Sequence, residues 1–333
     1  MWRLTKFLFL AALLWSLWWW IGKEGLEDGL AAWLDARRAE GWVAEAGALA
    51  VTGYPGRFEA RIAGLELADP ETGLAWTAPG FRFRSPAWDP TDFTAFWPAE
   101  QVVATPGERI RVTARGLSAR LALMPGPALT LRAAEAEAEM LALDSSLGWE
   151  ARLDSARLTA ARNPDGENAL DLRFDAAALE PSAPMLARID PAGRLPRRID
   201  LLSLDATFGF DAPWDRYAVE RRRPQPRSLD LRRLKASWGA LDLEAAGTLA
   251  IDAEGIPSGE IQLRAVNWRD LLELGRDHGL IPPEIDGTIA AGLELLAAAT
   301  GNPNTLDVPL SFAGGRVLLG PIPLGPAPRL ALR

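Results

Sequence analysis

The chain has 333 residues, 48% hydrophobic and 24% charged, with a net charge of −8. That is globular composition with length for a sizeable core, and the acidic balance argues against a nucleic-acid binder, which carries a basic footprint. Zero cysteines exclude thiol catalysis, disulfides and thiolate-bound zinc, and one histidine, His278, excludes a histidine metal cluster.

The first element is an uncharged run from Phe7 to Ile21, FLFLAALLWSLWWWI. As a helix it spans about 22 Å, short of a hydrocarbon core of about 30 Å. Extension from Leu4 to Gly22 nearly meets the requirement if Lys6 snorkels. Phe7, Leu10, Leu14, Trp18, Trp19, Trp20 and Ile21 are the expected membrane anchor, with the three tryptophans at one interface. Arg3 and Lys6 precede the run, so the positive-inside rule leaves the N-terminus cytoplasmic and exports the body. A cleaved signal peptide shares the charged start and apolar middle, but the run ends WWWIGKEG without an A-x-A site. The expectation is a single-pass inner-membrane protein with a periplasmic body. Its parts are a tip and anchor over 1–23, an amphipathic linker helix over 24–42, and a β domain over 43–333 that divides, if at all, near 180–198.

Glu24 to Arg38 places Leu26, Leu30, Trp33 and Leu34 on one helical face, to lie on the membrane or pack on a sheet. From Val43 the period becomes two. Arg57–Ala68 and Leu74–Arg84 read as a hairpin around Asp69-Pro70-Glu71-Thr72-Gly73. Alternation slips phase at Ala63-Gly64 and again at Gly116 within Ile110–Leu123, the pattern of β-bulges that bend a sheet. Further strands are expected at Leu129–Leu143, Trp149–Ala161, Ala169–Leu179, Ile199–Phe210, Ser228–Trp238 and Leu241–Ile251. Glu260–Val266, Thr288–Leu296, Asp307–Phe312 and Arg316–Leu319 continue the series. Asn267–His278 reads as a helix capped by Asn267 and stopped by Gly279 and Pro282-Pro283. The fold class is mainly β: a transmembrane helix, then an elongated, curved, groove-like antiparallel sheet with one or two accessory helices.

The candidate polar groups each have a plainer reading. Glu135, Glu137 and Glu139 alternate as the wet face of a strand before they resemble a cation site. His278 closes a helix, where a histidine meets free carbonyls. Arg221, Arg222 and Arg223 with Arg227, and Arg194, Arg197 and Arg198, are solvated loop charges or contacts for anionic lipid headgroups. No phosphate loop, dinucleotide fingerprint, G-x-S-x-G or H-E-x-x-H occurs. Catalytic residues, cofactor and metal are all expected to be none.

Gly53-Tyr54-Pro55-Gly56-Arg57-Phe58 (GYPGRF) resembles the GYPxRF signature of an uncharacterised bacterial envelope family, domain of unknown function 2125. Trp97-Pro98, Asn267 to Leu272 (NWRDLL) and Gly320 to Gly325 (GPIPLG) resemble its other landmarks. The plan is more loosely similar to AsmA-type envelope proteins, which carry one membrane helix and a bent periplasmic sheet and are implicated in phospholipid balance. The resemblance implies a non-enzymatic protein that shelters or transfers acyl chains, with membrane lipid as partner. The alternative is a scaffold that binds another envelope protein through a strand edge.

Overall fold

The computed structural model describes residues 2–220, 222–277, 283–299, 301–320 and 322–332. The apolar and amphipathic segments form one continuous helix, α1 (Trp2–Ala39), about 57 Å long at 1.5 Å per residue. No proline or turn signal interrupts Gly22-Lys23, so no separate linker helix begins at Glu24. Lys23 instead pairs with Glu27 one turn on, at 2.8 Å.

Two compact units follow from the contacts, residues 1–123 with 136–148, and residues 124–135 with 149–333. The first holds α1 and the strands β1 (Val43–Ala46), β2 (Leu49–Thr52), β3 (Arg57–Ala68), β4 (Ala75–Pro86) and β5 (Asp92–Phe96). It continues with β6 (Glu100–Ala104), β7 (Arg109–Arg115) and β8 (Ser118–Leu123). Of the next two strands, β9 (Leu131–Ala138) and β10 (Met140–Ser145), β10 pairs with β7. β3 and β4 pair along their whole length, while β1 and β2 share the other edge of β3. β4 then branches, one half pairing with β5 and the other with β6. All pairings are antiparallel. The hairpin turn is closed by Asp69, whose carboxylate accepts from the Glu71 amide at 2.9 Å and the Thr72 hydroxyl at 2.7 Å.

The phase slips are real but are not bulges. Phe58, Ala60 and Ile62 are buried before Gly64, and Leu65 after it, yet the β3–β4 register stays in step from Arg57↔Pro86 to Ala68↔Ala75. The face is exchanged by rotation at Gly64, whose φ of +60° an L side chain rarely adopts. Gly116, at φ +63°, ends β7 and hands the chain to β8. Similar breaks at Glu139 and Asp154 divide two further runs expected to be single strands.

The second unit carries β11 (Glu150–Leu153), β12 (Ser155–Arg162), β13 (Ala169–Leu179), α2 (Ala183–Ile189), β14 (Ile199–Phe210) and α3 (Arg216–Glu220). It ends with β15 (Pro226–Trp238), β16 (Leu241–Ile251), β17 (Pro257–Val266), α4 (Trp268–Asp277), α5 (Pro283–Ala299), β18 (Thr305–Ala313), β19 (Arg316–Leu319) and β20 (Ile322–Pro326). From β12 to β20 each strand pairs antiparallel with the next. The α4–α5 pair is inserted between β17 and β18.

Two expectations fail here for local reasons. Thr288–Leu296 is helical, within α5. Ile289, Ala290, Leu293, Leu296 and Ala297 recur at the helical period and pack together against Ala265, Leu306 and Val308, and alanine is the strongest helix former. Asn267 does not cap α4 with its side chain. It sits at φ +57°, and its amide donates to the Ala240 carbonyl at 2.5 Å. Beside α1 the described residues form four helices, not one or two.

Candidate functional site

The junction between α1 and the first unit is built from the tryptophan cluster and the GYPGRF turn. Phe7, Leu10, Leu14, Trp18, Trp20 and Ile21 are about half exposed or more, but Trp19 is 9% exposed and belongs to the body. Its ring stacks on Phe58 at 5.8 Å and meets Tyr54 edge-on at 5.4 Å, and its indole N–H donates to the Arg57 carbonyl at 2.9 Å. The neighbouring indoles act likewise: Trp15 donates to the Pro55 carbonyl at 3.0 Å and Trp18 to the Ala87 carbonyl at 3.2 Å. Ser16 and the Tyr54 hydroxyl are hydrogen-bonded at 2.8 Å.

Gly22 supplies the space that lets the helix approach, since a Cβ there would lie 2.5 Å from the Phe58 ring. Leu26 and Leu30 extend the contact onto Val51, Phe58, Ala60, Ala87 and Phe83. The Glu27 carboxylate accepts from the Val51 amide at 2.9 Å. Leu26 and Leu30 of the amphipathic stripe therefore pack on the sheet, whereas Trp33 is exposed. The Tyr54–Pro55 peptide bond is cis.

The opposite face of the same strands is basic. Strand register places Glu59, Arg84, Thr94 and Arg120 in one row across β3, β4, β5 and β8, and Arg61, Arg82, Phe96 and Ser118 in the next. Glu59 is 2% exposed, and Arg57, Arg61, Arg82 and Arg84 all lie within 4 Å of its carboxylate. The hydrogen bond from Arg61 is the main cause holding that carboxyl below its usual range. The charges of Arg61, Arg84 and Arg82 add to it against the cost of burial. Arg82 and Arg84 also lie over the Phe96 ring, at 4.6 and 5.2 Å. Arg120 forks onto Asp92 at 2.8 and 2.5 Å. A cleft of about 600 Å³ opens here, walled by Arg57, Arg84, Arg120 and Asp92 and rimmed by Tyr54, Pro55 and Trp88.

In the second unit the sheet has one apolar and one polar face. Leu158, Phe174, Leu204, Leu234, Ala245, Leu263 and Val308 form an unbroken row from β12 to β18. Leu170, Phe208, Leu229, Leu249, Gly259, Phe312 and Val317 form a parallel one. At one end α2, α4 and α5 cover this face, with Trp268, Leu272 and Leu293 on Ala265 and Val308, and Leu274 beside Trp238 and Leu241. Further along, the cluster around Ala206, Leu231 and Ala245 is made of strand residues alone. There Leu204, Phe208, Leu229, Leu234, Ile261 and Leu263 remain partly exposed. On the polar face a bulge in β15 sends out Arg232, which binds Asp205 and Thr207 and lies 3.4 Å from Asp171.

The other candidate groups are dispersed. Glu135 pairs with Arg157 at 2.9 Å, Glu137 accepts from Ser118 at 3.4 Å, and Glu139 faces Arg115 at 4.0 Å. No trio of such groups in a metal-holding arrangement occurs among the described residues. Arg221 and His278 lie outside those residues. Arg222 and Arg227 converge on Asp211 at 2.5 and 3.4 Å, while Arg223 is exposed and its carbonyl accepts from Gln225 at 2.9 Å. Arg194 is held by Asp277 at 2.7 Å, Arg198 lies 3.9 Å from Asp200, and Arg197 is exposed. The basic ladder was missed by sequence reading. Its signal was the alternation Arg57-x-Glu59-x-Arg61 and Arg82-x-Arg84, which shows one face of a strand but not the neighbours that register brings beside it.

Helix α1 is long and apolar enough to cross a membrane. No curated protein and no solved structure matches the chain. A family model matches residues 19–328, and the chain belongs to the bacterial family described as "Uncharacterized protein conserved in bacteria (DUF2125)".

Proposed function

We propose that this is a membrane-anchored, non-enzymatic envelope protein that shelters phospholipid acyl chains on the apolar face of its second unit. α1 spans the inner membrane with its tip in the cytoplasm and the body in the periplasm, as the placement of Arg3 and Lys6 favours. One observation carries the acyl reading: across β13 to β17 large aliphatic and aromatic side chains meet in register, partly exposed and grouped with strand residues alone among the described residues. A monomer gains from covering such a strip, at about 25 cal/mol per Å² of apolar surface removed from water. The resemblance to AsmA-type proteins supports the same reading. Strand-edge scaffolding has less support, because β20 places Pro323 and Pro326 among its five residues and proline cannot donate to an added strand.

The test is quantitative lipid mass spectrometry on the full chain purified mildly from membranes, beside a variant carrying Phe208→Asn and Leu229→Asn. These two residues face each other across β14 and β15. Stoichiometric phospholipid in the wild type and its loss in the variant are expected. Equal lipid in both would remove the apolar face from the account.

A further inference from the structure

The cleft beside the GYPG turn, where α1 meets the first unit, is walled by arginines. Its depth follows from the helix. The Pro55 carbonyl and the Tyr54 hydroxyl bind Trp15 and Ser16, four to five residues back from Trp20, or about 7 Å along the axis at 1.5 Å per residue. If Trp20 marks the interface, the GYPG turn reaches the level of the headgroups. Two exposed aromatics sit on that rim, Tyr54 at 55% and Trp88 at 71%, and both are side chains that favour the membrane–water boundary.

Charge gives the second argument. In a protein of net charge −8, the cleft and its adjoining row hold Arg57, Arg61, Arg82, Arg84 and Arg120 against Glu59 and Asp92, an excess of three positive charges. Four of these arginines share the single Glu59 carboxylate. It cannot satisfy them all: the Nε of Arg84 is buried without a hydrogen-bond partner, 3.5 Å from the nearest Glu59 oxygen. Planar guanidinium groups crowded in this way are matched by the two unesterified oxygens of a phosphodiester.

We propose that this cleft binds the phosphate of an anionic phospholipid headgroup from the membrane that α1 spans, with Arg57 and Arg84 as its principal contacts. The inference rests on the membrane-anchored reading of α1 and is independent of the acyl-sheltering face. The headgroup ties the first unit to the bilayer surface beside the helix, and Tyr54, Pro55 and Trp88 lie against the lipid backbone. Asp92 holds Arg120 to one side and limits the total charge of the site.

Native mass spectrometry of the full chain in neutral detergent, titrated with phosphatidylglycerol or phosphatidylcholine, tests this. One phosphatidylglycerol retained in preference to phosphatidylcholine is expected. The variant R57Q/R84Q should weaken phosphatidylglycerol by about fivefold per arginine, and R152Q, whose side chain pairs with Glu150 and does not line the cleft, should leave it unchanged. D92N raises the positive excess and should strengthen binding, which gives a reading that does not depend on removing arginines. Inorganic phosphate at the same concentration should not displace the lipid. Unaltered phosphatidylglycerol affinity in R57Q/R84Q with native near-UV dichroism, no gain in D92N, or displacement by inorganic phosphate would each overturn the proposal. The Phe208→Asn and Leu229→Asn variant should keep this binding, so failure of the acyl reading is separable from failure of this one.

Discussion

Replacing Trp19 by alanine should undock α1 from the sheet. The side chain is 9% exposed, stacked on Phe58, edge-on to Tyr54 and hydrogen-bonded to the Arg57 carbonyl. Truncation of a buried tryptophan costs about 3–5 kcal/mol, which includes the cavity left behind. The lost stacking and hydrogen bond act within that figure.

Because the helix remains tethered, the cost falls on local opening and not on global unfolding. The Val51 amide reports that opening directly, since its partner is the Glu27 carboxylate on α1 itself. At 1.4 kcal/mol per tenfold, hydrogen exchange at Val51 should accelerate by about two to three and a half powers of ten in W19A, in detergent or nanodiscs. W19F keeps a ring but loses the donor, and should cost about 1 kcal/mol. If Val51 exchange is unchanged in W19A, the indole is not part of the docking contact and the junction described above is wrong.

Three further outcomes follow from the same contacts. Gly22→Ala gains about 1 kcal/mol of helix propensity but places a Cβ 2.5 Å from the Phe58 ring. Overpacking of about 1–3 kcal/mol should therefore win, and thermal unfolding should show a net loss or no gain, whereas Gly25→Ala, with nothing within 4 Å, should stabilise. The folded carboxyl of Glu59 titrates below its ordinary value of 4.5. Its contribution is thus present above that value and lost as pH falls through the lower, folded one. E59Q should lose about 2 kcal/mol at neutral pH and show a flatter decline in acid by chemical denaturation. On the polar face of the second unit, Arg232 is 38% exposed and is paired with Asp205 and Asp171. Solvent screening should hold the cost of R232Q to about 1 kcal/mol or less by the same denaturation assay.

Where one physical effect dominated, residues predicted structure closely. Alternation located β13, β14 and β16 to the residue, and β3 despite its phase slip at Gly64, because a half-buried strand needs period two. The α5 segment mixed small and apolar residues in a way that satisfies either period over a short window, and only its packing on Ala265 and Val308 decides between them. The continuity of α1 followed from the absence of any breaker, yet the change from uncharged to charged residues at Lys23 read as a boundary. Trp19 is one of three consecutive tryptophans with identical composition around them. Which of them faces the sheet depends on where the GYPGRF turn returns.

The basic cleft was hidden for a different reason. Its residues come from β3, β4, β5 and β8, and β5 is a short strand, Asp92–Phe96, with a weak apolar pattern. Without it the row from Glu59 to Arg120 cannot be assembled. Likewise, single strands show that one face is apolar, but only register shows that the face continues across seven of them.

If acyl chains lie on the strand-only apolar face of the second unit, lipid should be found within reach of Phe208. A photo-crosslinking amino acid placed at Phe208, on that face, and at Asp230, on the opposite face, in the full chain within living cells tests it most directly. The account predicts a phospholipid adduct at position 208 and none at 230. Adducts at neither position, or a single protein adduct at 208, would contradict it.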